Sequence, residues 1–131
     1  MEKFNKMLEV ENDLLEQLHI RENKTMAYSF HLKKLENSGA NMNGRAKKAA
    51  HFHQLFSFYQ KDLLPALREI ILLEKKHIAL EQKNPDRSFR PFLKELKAHH
   101  KIVRQFLHRF AEVEKEFESF ANNEKTSEIL N

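Results

Sequence analysis

Apolar residues recur at steps of three and four over three long stretches of the chain, the spacing of a helix that buries one face. The first stretch runs from about Lys3 to Glu36, where Phe4, Met7, Leu8, Leu14, Leu15, Leu18, Met26 and Leu32 form one stripe. It ends in Asn37–Gly44, a stretch holding both glycines of the chain and three asparagines, residues that supply the positive φ of turns. The second runs from about Arg45 to Lys83 along the seam Ala49, His53, Phe56, Gln60, Leu63, Leu67, Ile70, Glu74, His77 and Glu81. Pro65 lies inside it and predicts a kink or a break, with Asp62 as the N-cap of a restarted helix if it breaks. Asn84–Ser88 then ends the helix.

The third stretch, from Phe89 to about Ala121, carries two adjacent seams. Phe89, Leu93, Leu96, His100, Val103, Leu107, Phe110 and Phe117 form one, interrupted by Glu114; Phe92, His99, Phe106, Val113 and Phe120 form the other. Two seams make a face wide enough to touch two neighbours. At ~1.5 Å per residue the three stretches span roughly 51, 58 and 50 Å. Matched lengths and short connections predict an all-α, antiparallel up-down bundle of three long helices, or four if the second breaks at Pro65. A single domain is expected over residues 1–122, followed by a polar, fraying tail over 123–131.

Composition agrees with this and narrows the chemistry. The chain has 131 residues, the size of one domain, and 2 Gly and 3 Pro are too few for the turns of a β-sandwich. The absence of Cys excludes disulfides, thiol nucleophiles and cysteine-held metals. It fits a reducing compartment, and a cytoplasmic location is expected. The longest apolar run, Ile70–Leu73, is far short of a membrane span, and the mixed charges around Met1 do not read as a signal peptide, so no membrane partner is expected.

The informative polar residues are those on apolar stripes. Folding the chain about its two turns brings Glu11, Glu74, His77 and His100 within one to two helical turns of a common layer. Two carboxylates and two imidazoles converging inside a bundle form a ligand set for a single Zn, Fe or Mn ion, the one cofactor the sequence suggests. Glu74 and His77 also have the Glu-x-x-His spacing of di-iron bundles. The second such pair, Glu16 and His19, has Glu16 facing away from the stripe, so a dinuclear site fails on orientation. The same residues are explained without metal by a Glu–His hydrogen bond near a bundle end, where long side chains reach water. That plainer account is the one the sequence favours.

On the third helix Arg90, Lys94, Lys97, Lys101 and Arg104 form a basic ridge opposite the apolar face. The net charge of +4 divides into about +8 for residues 1–109 and −4 beyond. Such a ridge suits an acidic protein surface, a second copy of the chain through its acidic end, or a phosphate backbone. No aromatic residue interleaves with the cations to stack bases, which weakens the nucleic-acid reading. His31 and Lys34 have the spacing found around the phosphorylated histidine of phosphotransfer bundles, and His31 is expected to be exposed. The glycine that follows in that pattern is missing and the match spans four residues, so it carries no assignment. No nucleophile elbow or phosphate loop is present. The sequence thus points to a small non-catalytic interaction or adaptor protein that uses the ridge, with a metal-binding bundle and a nucleic-acid-binding protein as alternatives.

Overall fold

The structure, a computed structural model, describes the backbone of residues 2–37, 46–83 and 89–130 and the side chains of 2–35, 46–83 and 90–122. Helix α1 spans Glu2–Asn37, α2 spans Ala46–Phe58, a π-helical turn covers Tyr59–Leu63, α3 spans Leu64–Lys83 and α4 spans Phe89–Leu130. There is no strand among the described residues. The two turn stretches, 38–45 and 84–88, lie outside them. Helix α4 is helical past Asn122; the side chains of 123–131, and with them the expected fraying of that tail, also lie outside.

The bundle is antiparallel. As numbers rise from α2 to α3, their partners on α1 fall: Phe56 meets Tyr28, Arg68 meets Glu22, and Glu74 meets Glu11. Partners on α4 fall in the same way, from Phe117 against Phe52 to Phe110 against Tyr59, His99 against Glu74 and Phe92 against His77.

Buried positions on α1 repeat every seven residues: Glu11, Leu18, Thr25 and Leu32 are each fully buried. Met26, placed on the stripe by the sequence, is 56% exposed, because Thr25 stands nearer the stripe's centre. A seven-residue repeat drifts slowly around an ideal helix, so a fixed stripe misplaces residues at its far end.

Helices α2 and α3 form one continuous helix through the π turn. Phe58 and Leu64, at its two ends, keep right-handed helical dihedrals, and the Leu64 N–H donates to the Tyr59 carbonyl five residues back. Pro65 therefore does not break the helix, and Asp62 lies inside the π turn instead of capping a new one. The wide turn sits where the proline ring would crowd the Lys61 carbonyl. It also inserts one residue into the helical register. The buried seam runs Ala49, Phe52, Phe56, Tyr59 and then steps five residues to Leu64, continuing through Leu67, Ile71, Glu74, Ile78 and Glu81. Uninterrupted α-helix would have continued through Leu63, Ile70 and His77, the seam read from the sequence.

An aromatic cluster fills one end of the bundle. The Phe117 ring lies 4.8 Å from Tyr28, 5.3 Å from Phe56 and 5.4 Å from Phe52, centroid to centroid, the last two edge to face. Such pairs add to the burial of large apolar area. A smaller cluster of Ile78, Phe92 and Leu96, with Phe4, Met7, Leu8 and Leu93 packed around it, closes the other end. Between the two lies a polar layer, one level deep, made by Glu11, Glu74 and His100. Replacing the fully buried Phe56 by Ala should cost about 3–5 kcal/mol in urea unfolding, whereas Phe58→Ala, at a half-exposed position, should cost under about 1 kcal/mol. Equal losses would contradict this packing.

Candidate metal centre

Each helix delivers its member of the polar layer by periodicity. Glu11 opens the seven-residue series of α1, Glu74 stands seven residues after Leu67 on α3, and His100 lies between Leu96 and Val103 on α4. His100 Nε2 is hydrogen-bonded to Glu11 Oε1 and lies 3.7 Å from Glu74 Oε2. One donor atom from each of the three residues falls within 4.8 Å of the others, and no other group of three such side chains comes this close among the described residues. The remaining oxygens, Glu11 Oε2 and Glu74 Oε2, are buried without a hydrogen-bond partner. His99, half-exposed beside them, places Nδ1 2.6 Å from Glu74 Oε1.

Other carboxylates on the seams are satisfied, which sets this pair apart. Glu114 accepts a hydrogen bond from the Tyr28 hydroxyl and lies 3.0 Å from Lys24 Nζ. Burial raises its pKa, but these two donors outweigh burial and hold the carboxyl below its ordinary range. Burial, with Glu114 beside it, pushes the Tyr28 phenol up. Glu22 receives Arg68 Nη1 on both oxygens, at 3.0 and 3.1 Å. For Glu74 the balance runs the other way: burial, reinforced by the neighbouring Glu11 carboxyl, pushes its pKa from 4.5 up to about 9.

His77, expected in the layer, is not part of it. The extra residue in the π turn rotates it off the core, and Ile78 takes the buried place. Its ring stacks on Phe92 at 3.9 Å between centroids, and Nε2 lies 3.6 Å from Glu81 Oε1. His99 is the residue that sequence reasoning passed over. Its place in the series Phe92, His99, Phe106 was visible, but its pairing with Glu74 required the register across helices. The layer is also not at a bundle end, because an apolar cluster closes it on either side. His31 is half-buried, with an unpartnered Nε2 and its ring edge-on to Phe117, so the expected surface exposure does not hold.

The basic ridge lies where its spacing put it. Arg90, Lys94, Lys97, Lys101 and Arg104 are all exposed. Arg109 and His108, farther along α4, pair with Glu112 at 3.0 and 3.3 Å. No helix is long and apolar enough to cross a membrane among the described residues. Comparison with known families, with curated proteins and with solved structures finds no match for the chain.

Chemically, the layer offers two carboxylate oxygens and one imidazole nitrogen in a largely buried setting. Carboxylate suits harder divalent ions and imidazole suits zinc and iron, so the set matches Zn, Fe or Mn. The His99 imidazole on Glu74 Oε1 is the kind of outer contact that would orient this carboxylate if it held a metal. Without metal, the raised pKa means the folded state holds a proton on Glu74 that the unfolded chain releases above pH 4.5. Stability of metal-free protein should therefore fall as pH rises from about 4.5 towards about 9, and Glu74→Gln should flatten that slope. Urea unfolding at intervals across that range checks it; an unchanged slope in Glu74→Gln would remove Glu74 as its source.

Proposed function

We propose that this protein is a metal-binding helical bundle holding one Zn, Fe or Mn ion at Glu11, Glu74 and His100. The observation that carries the reading is the convergence of two buried Glu carboxyls on a buried histidine in the middle of the bundle, with Glu11 Oε2 and Glu74 Oε2 receiving no hydrogen bond from a neighbouring N–H. Buried polar atoms in folded proteins are nearly always satisfied, and a buried carboxylate pair without a cation is costly. A divalent ion supplies the missing partner for both oxygens. The proposal includes no catalytic step. A cytoplasmic location, expected from the cysteine-free composition, is part of it.

Protein purified without tag or chelator should carry close to one Zn, Fe or Mn per chain by elemental analysis. Glu74→Ala and His100→Ala should reduce this to near zero, while His77→Ala should leave it intact. Adding the ion to stripped protein should raise the melting temperature, since binding to the folded state stabilises it. Loss of metal on His77→Ala alone would contradict the assignment.

A second reading, binding of a protein partner through the ridge, is supported by a separate observation. Arg90, Lys94, Lys97, Lys101 and Arg104 are exposed and make no ion pair among the described residues, whereas Lys24, Arg68 and Arg109 all do. A row of exposed cations raises the local potential and attracts an acidic surface, a second copy's acidic end included. Reversing Lys94, Lys97 and Lys101 to Glu should abolish such binding without loss of helicity, as measured by co-purification and circular dichroism. If the partner is nucleic acid instead, affinity should fall steeply with salt.

A further inference from the structure

We propose that the groove between α3 and α4 admits a small monocarboxylate with an apolar body, and that its carboxylate completes the coordination of the ion at Glu11, Glu74 and His100. This rests on the metal reading above. Three protein ligands leave a tetrahedral ion one position for an outside group. The direction from which that group arrives is set by Glu74, which belongs to the buried layer and also lines the groove.

The groove has a volume of about 380 Å³, at the small end of ligand sites. Ile70 and Leu73 on α3 and Pro91 and Phe92 on α4 make its walls apolar, and Leu73 remains 60% exposed at its mouth. His99, half-exposed in the lining, bridges the groove and the metal layer through its 2.6 Å contact with Glu74. His77, turned outward by the π-helical register, adds a second imidazole, held flat against Phe92. A ligand lying here would have hydrocarbon against the walls and hydrogen-bonding imidazoles near its head. An anionic oxygen suits both the imidazole N–H groups and the ion. Glu74 and Glu95 are both acids of the lining, so each further negative charge on a ligand is disfavoured there. The preferred class is therefore a monoanion with an apolar body, and a dicarboxylate of the same shape is disfavoured.

Co²⁺ loaded in place of the native ion provides a visible spectrum that reports its coordination, and benzoate and terephthalate serve as mono- and dicarboxylate probes. Benzoate should change the Co²⁺ bands saturably and more tightly than terephthalate. Leu73→Glu, which removes an apolar wall and adds an acid at the mouth, should weaken benzoate about tenfold or more. Leu80→Glu, an equally exposed leucine outside the groove lining, should not. If Co²⁺ binds one per chain but benzoate leaves the spectrum unchanged, or Leu73→Glu binds it as wild type does, the groove proposal is overturned and the metal centre stands. If Co²⁺ does not bind, both fall together.

Discussion

Two carboxyl groups held side by side in an apolar interior cannot both ionise without a cation between them, and a helical bundle has no backbone groups to spare for them. Every backbone N–H and C=O along α1, α3 and α4 at this level is committed to its own helix. Glu11 and Glu74 therefore depend on side chains, and His100 with His99 leaves one oxygen of each carboxylate unanswered. The rest of the fold keeps most of this layer from water: Glu11 is fully buried, and Glu74 also lines the groove between α3 and α4. The large aromatic cluster closes the layer on one side, and Ile78, Phe92 and Leu96 close it on the other. Removing one member of such a layer leaves the others uncompensated, so the three residues stand or fall as a unit.

The π turn decides which residues join that unit. One residue inserted between Tyr59 and Leu64 shifts everything after it by about 100° relative to the helix before it. Ile71 and Ile78 enter the core as a result, Ile70 and His77 line the outer groove, and Glu74 keeps its inward place. A local accommodation to one proline thus separates the buried Glu74 from a groove histidine that sequence spacing had grouped with it.

Much of the fold was legible because the helices are long and their apolar residues strictly periodic. The bounds of the first two segments, the antiparallel order and the exposed ridge follow from steps of three and four, whereas α4 runs to Leu130, past the Ala121 end that the apolar pattern set. Glu11, Glu74 and His100 could be placed in one layer by counting from the turns, since antiparallel helices of matched length hold that count over many residues. His77 and Met26 were misplaced for different reasons. A π turn is not written in hydrophobic spacing, and a straight stripe ignores the slow drift of a seven-residue repeat. The pairing of Tyr28 and Lys24 with Glu114 and the contact of His99 with Glu74 depend on rotation about three helices at once, which one chain's periodicity does not contain.

A metal centre in the buried layer would scatter anomalously at its own absorption edge. Anomalous diffraction from crystals of protein purified without chelator, collected on both sides of the zinc, iron and manganese edges, tests for it most directly. One strong peak per chain is expected, about 2.0–2.2 Å from a Glu11 oxygen, a Glu74 oxygen and a His100 nitrogen. A peak confined to the surface histidines, or none in the layer, would contradict it and leave Glu11, Glu74 and His100 as a hydrogen-bonded polar layer.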